Sequence, residues 1–256
     1  MEALTQIDGW PAPHAAVLVA GAVEASRGDA DRVFPWASVT KLASAVAFLV
    51  AVEEGVIELD DPAGPPGSTV RHLLAHTSGL PFDPGPPIAK PGQRRIYSNH
   101  GFDVLAELVA ARAGMSFADY FAAVWPDGPV LLGSAGSGAK GDLAALRAVA
   151  RETLDEAAAV QFPGLVGMLP GFGRQEPNDW GLGLELKDAK APHWTGSRNS
   201  PRTFGHFGRS GTFLWVDPDA RLALGCLTDL DFGAWAVAAW PRLADSVLAA
   251  AGHADA

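Results

Sequence analysis

Near the front of the chain, Ser38-Val39-Thr40-Lys41 sets a hydroxyl and an amine three positions apart. If these residues open a helix, both side chains share one face of its first turn. A serine hydroxyl is a weak nucleophile until a base takes its proton, and lysine acts as that base only when burial or neighbours favour its neutral form. Ser-x-x-Lys at the start of a buried helix therefore supplies a nucleophile and a candidate base from a single turn. The helix dipole adds a positive end where an anion develops. The same spacing also suits an N-cap serine followed by a surface lysine one turn on. So short a pattern recurs by chance, and Ser137-Gly138-Ala139-Lys140 matches it too. That copy falls in a glycine-rich segment, 133–138, read as a flexible loop that cannot hold two side chains in register.

The elements that must position Ser38 follow from patterning. Residues 42–54 form an apolar run of helix formers, and Gly55 stands where a C′ glycine belongs. Residues 15–20 read as a buried strand, with residues 21–25 as its hairpin partner. Ser68 reads as the cap of a short helix over residues 70–74, and Ser116 as the cap of another reaching Phe121. Residues 102–114 and 142–149 read as helices, and 235–251 as a helix that Pro241 kinks or restarts. Residues 180–186 alternate like a strand, and further strands follow at 203–209, 212–216 and 222–228. Strands thus lie at both ends and helices fill the middle. The fold class is α+β, with an antiparallel sheet built from both chain ends, flanked by helices and carrying a helical insertion. The chain is expected to form one catalytic unit over 1–256, with a sheet part at 1–60 and 178–256 and a helical part at 61–177.

Composition narrows the function. The net charge of -10 and absence of a lysine-arginine cluster argue against a nucleic-acid or anionic-membrane partner. The single cysteine, Cys226, excludes an internal disulfide and lies in an apolar run as a core filler. The seven histidines show no metal-ligand spacing, so neither metal nor cofactor is expected. No basic-then-apolar leader and no membrane-length run are visible, which points to a cytoplasmic, soluble protein.

Four blocks together carry a resemblance: Ser38-Val39-Thr40-Lys41, the ten residues from His72-Leu73-Leu74 to Gly79-Leu80-Pro81, Tyr97-Ser98-Asn99, and Gly205-His206-Phe207-Gly208. In order and content they resemble the serine β-lactamase and penicillin-binding protein superfamily. The similarity is greatest to the branch with class C β-lactamases, family VIII carboxylesterases, D-aminopeptidases and DD-peptidases. The resemblance implies the β-lactamase/transpeptidase-like fold and a serine hydrolase working through an acyl-enzyme on Ser38. Lys41 and Tyr97 would handle its proton, and which of them is the formal base stays open because coupled groups titrate as a unit. Asn99 would hydrogen-bond Lys41 or the substrate. His206 would open the family's third motif on the strand edging the cleft, ending at Gly208. The main-chain N–H groups of Ser38 and Arg209 would form the oxyanion hole. His72, His76, Thr77 and Ser78 belong to a block that is mostly structural in the family, and His100 reads as a surface residue.

Two departures shape the expected substrate. The family's third motif is usually Lys-Thr-Gly, whose first two residues hold a carboxylate; here it is His206-Phe207-Gly208. A carboxylate bound there would lose charge-assisted hydrogen bonds worth ~1.5–3 kcal/mol, unless Arg209 compensates. The region between Asn99 and His206 is also short for the family, implying an open cleft. A small-molecule ester is therefore the expected substrate, with D-peptidase, DD-peptidase or weak β-lactamase activity as alternatives and a non-turnover sensor as a third. An α/β-hydrolase is disfavoured, because Gly208-Arg209-Ser210-Gly211-Thr212 fails the last glycine of G-x-S-x-G. Oligomeric state is not legible.

Overall fold

A computed structural model describes residues 1–152 and 155–252. In chain order its elements are β1 (Ala15–Gly21), β2 (Ala25–Gly28), β3 (Phe34–Pro35), α1 (Thr40–Glu53), α2 (Val70–Leu74), α3 (Asn99–Ala113) and α4 (Phe117–Val124). Then come β4 (Val130–Leu131), β5 (Ala139–Gly141), α5 (Leu143–Glu152), β6 (Gly167–Leu169), β7 (Gly173–Gln175) and β8 (Glu185–Leu186). The last are β9 (Phe204–Gly208), β10 (Thr212–Asp217), β11 (Leu222–Thr228) and α6 (Ala234–Ala250).

One six-stranded antiparallel sheet runs β2-β1-β11-β10-β9-β8. The first long strand closes on the last, with Val17 opposite Cys226 and Val19 opposite Leu224. Side chains alternate between the two faces as the strand period requires. Ala16, Leu18, Leu214 and Leu227 join the core built on α1, α3 and α5. Val17, Val19, Phe213, Trp215, Leu224 and Cys226 join a second core under α6 and the 3-10 turn carrying Leu4 and Ile7. Burial on both faces explains why these strands read as continuous apolar runs. Helix α1 crosses the middle of the first core, buried from Thr40 to Phe48. A helix apolar on nearly all sides belongs in an interior, and three polar residues, Thr40, Lys41 and Ser44, go in with it.

Several expected boundaries shift. The first hairpin strand is residues 25–28 rather than 21–25, because Gly21 at φ 116 opens the turn. Residues 180–186 are not one strand. Gly183 turns the chain at φ 82, with Gly181 N donating to Leu184 O at 2.9 Å, so only Glu185–Leu186 pair in the sheet. Those glycines serve a turn that folds back under α1, not an extended edge. Helix α2 is capped by Thr69, whose hydroxyl accepts from His72 N, while the buried Ser68 hydroxyl has no hydrogen-bond partner. Helix α3 starts at Asn99 with Ser98 as its cap. Pro241 lies inside α6 without ending it. Among the described residues, no helix is long and apolar enough to cross a membrane.

Candidate active site

The segment before Ser38 is clamped from two sides. Phe34–Pro35 pairs with β5, and Trp36 N donates to Ala139 O at 3.0 Å, with its indole N–H on Gly141 O. From the sheet side, Thr212 Oγ1 donates to Trp36 O at 2.8 Å and Ser210 Oγ to Pro35 O at 2.7 Å. Ala37 then takes φ 44, a conformation costly for a side-chain-bearing residue and found where surrounding structure enforces it. A 3-10 turn over Ala37–Val39 leads into α1, leaving Ser38 half-buried at the helix entrance. Gly208 of β9 lies alongside: a Cβ there would collide with Trp36 O and come 3.1 Å from Ser38 N, so only glycine lets the strand approach this closely.

One turn on, Lys41 is fully buried. Its Nζ donates to Asn99 Oδ1 and, at 2.7 Å, to Gly136 O, and lies 4.6 Å from the centre of the Tyr97 ring. Burial depresses its pKa to about 7, with Asp103 pulling weakly the other way. Asp103 follows Asn99 by one helical turn, and its carboxylate accepts from Ser134 Oγ at 2.8 Å and Ala135 N at 2.9 Å. That anchors the loop presenting Gly136 O to Lys41 and Ala135 O to Ser44. The loop read as flexible is thus a hydrogen-bonded part of the Lys41 environment. Its own Ser137–Lys140 pair does no joint work, because Lys140 lies exposed on β5.

Tyr97 stands between histidine and aromatic side chains. Its ring centre is 4.8 Å from His76, 5.4 Å from His206 and 5.8 Å from both Phe82 and Trp180. Burial raises the pKa of its phenol well above the usual value, and the neighbouring Ser38 hydroxyl offsets part of that rise. Ser38 is thus beside the phenol, but Tyr97 Oη has no well-formed hydrogen bond. His206 is buried, its pKa lowered to about 3 by desolvation and by nearby Lys41, so it is neutral. Its Nδ1 accepts from Phe207 N at 2.8 Å, which leaves the proton on an unpartnered Nε2. The next residue on β9 points through the sheet: Phe207 packs on Phe172, Trp194 and Phe232.

The expected residues therefore converge. Ser38, Tyr97, His206, Phe207 and Arg209 line one apolar cavity of about 240 Å³, with Phe82, Pro170, Gly171 and Phe232 completing it. Lys41 and Asn99 lie directly behind. Arg209 is at the mouth, 89% exposed, 3.7 Å from Asp231. Trp36, Trp180, Trp194 and Trp215 are core residues, with Trp180 backing Tyr97 and His206. His100 is half-buried rather than at the surface. The reading of residues alone missed Asp103 and Gly136, and it left His76 as a structural turn residue. The helix read over 102–114 leaves Asn99 outside it; with α3 starting at Asn99, Asn99 and Asp103 stand four apart on one face. Among the described residues, no cluster of three His, Cys, Asp or Glu suits a metal ion.

The family model described as Beta-lactamase matches residues 8–125 and 122–249, nearly the whole chain. The chain belongs to the Beta-lactamase family. A solved beta-lactamase from Mycobacterium bovis is 52% identical to this Beta-lactamase-family chain, with a TM-score of 0.94 over 97% of this chain and 99% of that one. A mutant simvastatin synthase from Aspergillus terreus shares the fold at 15% identity, with a TM-score of 0.76 and 99% of each chain covered. A penicillin-binding protein of Bacillus subtilis is 30% identical over a stretch covering 34% of this chain and only 27% of that protein.

Proposed function

We propose that this Beta-lactamase-family hydrolase fold works as a serine esterase through an acyl-enzyme on Ser38. One observation carries the reading: the two hydrogen-bond acceptors around buried Lys41. A neutral amine has two N–H bonds and one lone pair. Asn99 Oδ1 and Gly136 O take the two hydrogens, so the lone pair is left for a proton. With its pKa near 7, Lys41 is substantially neutral at physiological pH. Tyr97, raised by burial, stays protonated and suits the role of acid.

In this mechanism Lys41 takes the Ser38 proton as Oγ attacks the ester carbonyl. The carbonyl oxygen becomes an oxyanion held by the Ser38 and Arg209 main-chain N–H groups. When the carbon–oxygen bond to the leaving group breaks, Tyr97 gives its proton to the departing alkoxide and regains one from the Lys41 ammonium. A water then repeats the sequence in reverse to release the acid and restore Ser38. The absence of a positive charge on His206 favours neutral esters over substrates with a carboxylate near the scissile bond. Arg209, at the mouth and drawn toward Asp231, does not replace the family's lysine.

A second reading, β-lactam hydrolysis, draws support from the 52% identity to the Mycobacterium bovis beta-lactamase. Rates on p-nitrophenyl butyrate and on a chromogenic cephalosporin decide between them. The ester is expected to turn over faster, with both activities lost in Ser38→Ala. A serine-directed phosphonate should label Ser38; an adduct on Ser137 or Ser210 would sink the assignment.

A further inference from the structure

Past the cavity at Ser38 opens a wider groove of about 540 Å³, lined mainly by Phe82, Ile88, Ile96, Val166, Met168 and Pro170, with Arg94, Arg95 and Arg174 also on its wall. Phe82, Tyr97 and Pro170 line both spaces, so the groove continues the cavity. Phe82, Ile88 and Met168 are 47%, 56% and 61% exposed. Single exposed apolar residues are ordinary, but several gathered in one concavity beside a reactive centre mark a place for an apolar ligand. The walls are also held in place by backbone pairing. Phe82 O accepts from Asn99 N and His100 N at 3.1 Å, and Ile88 N donates to Gly79 O at 2.9 Å. Arg95 N donates to Val166 O at 3.0 Å, and Met168 stands on the β6–β7 hairpin.

The direction of the groove assigns its occupant. In the reaction proposed above, on which this step rests, Tyr97 must face the oxygen that departs, while the Arg209 amide faces the carbonyl oxygen. Tyr97 borders both spaces and Arg209 borders only the cavity. We infer that the Phe82–Ile88–Met168 groove binds the leaving group, and that the preferred substrates are esters of extended apolar alcohols carrying a short acyl part. The cavity alone is smaller than the ~300–1,000 Å³ typical of ligand sites, which suits a short acyl group and leaves the groove to hold the remainder.

Two isomeric esters test this, since hexyl acetate and ethyl hexanoate differ only in which side carries the chain. Each fully buried methylene is worth about fourfold in affinity, so partial burial of four should raise kcat/KM for hexyl acetate at least ~10-fold over ethyl acetate. Ethyl hexanoate should show no such gain. Ile88→Asp and Met168→Asp, both at exposed positions, should bring the ratio of hexyl to ethyl acetate toward one. A gain for ethyl hexanoate instead, or a ratio untouched by both variants, would overturn the assignment. If no ester turns over through Ser38, the esterase reading fails by itself. The groove is then judged by titrating 1-octanol into the Ser38→Ala protein. Saturable binding that Met168→Asp removes supports it, and no saturable binding overturns it.

Discussion

Lys41 concentrates the chemistry of the site in one titration. Burial lowers its pKa to about 7, so with Lys41 as the base proposed above, kcat/KM on a neutral ester should climb about tenfold per pH unit below 7 and level off above it. Lys41→Ala should erase that limb and lower kcat by ~10²–10⁴, and Tyr97→Phe should do the same to kcat. The double variant should lose far less than the product of the two under the proposed mechanism, in which both serve one proton path. Multiplicative losses, or a profile flat through pH 7 in the parent, would refute the coupling. The residue types for this were readable in the chain, since Ser38, Lys41, Tyr97 and His206 fall in short motifs. Their protonation states were not, because those depend on burial contributed by elements far apart in sequence. Lys41 is neutralised by what α3 and the 134–136 loop place around it, and His206 by Tyr97 and Trp180 packed against its ring.

Among the elements, α3 positions the most. Its first residue holds Lys41, and one turn later Asp103 holds the loop that supplies the second acceptor. Asp103→Ala should leave KM near the parent value and reduce kcat by roughly tenfold, the loss expected for a misplaced support. Asp103 is also the negative charge that raises the Lys41 pKa, so the inflection in kcat/KM should move to lower pH. A merely structural role would not move it; an unshifted inflection counts against this account. Helices were legible through their period and caps. The hairpins β4–β5 and β6–β7 were not, since strands of two or three residues carry too little alternation to register. Turn glycines at 181 and 183 likewise imitated strand spacing.

On the scale of the whole molecule, buried ionisable groups set the acid limit. His76 and His206 are held below the ordinary histidine pKa by burial. The unfolded chain binds protons there from about pH 6.5 downward while the folded one does not, so stability falls with pH over that window, down to about 3 for His206. Each contributes up to ~1.4 kcal/mol per pH unit. Burial works to raise the Glu185 pKa, but Lys190 at 3.0 Å and His193 at 3.0 Å overcome it and hold the carboxyl very low. Its stabilisation is complete above the unfolded value near 4.5 and drains below it. Urea midpoints should therefore drop from pH 7 to 5, less steeply in His206→Gln. Lys190→Met should cost ~3–5 kcal/mol by taking the lysine cation away from a buried carboxylate that keeps only His193 and the Trp194 indole N–H, and adding Glu185→Gln should restore most of it. A Lys190→Met protein as stable as the parent would show that the pair carries little.

The pairing of β1 with β11 has a consequence in time. Ribosomes add roughly 5–20 residues per second, so β1 emerges tens of seconds before the strand that covers its edge is made. Until then Ala15–Gly21, an apolar ribbon with bare N–H and C=O groups, is open to any other chain doing the same. Ser38 shares the delay, since Thr212 and Ser210, which clamp its approach, are translated just before β11. The segment before Ser38 consequently stays unclamped until Ser210 and Thr212 have been made and β10 has docked.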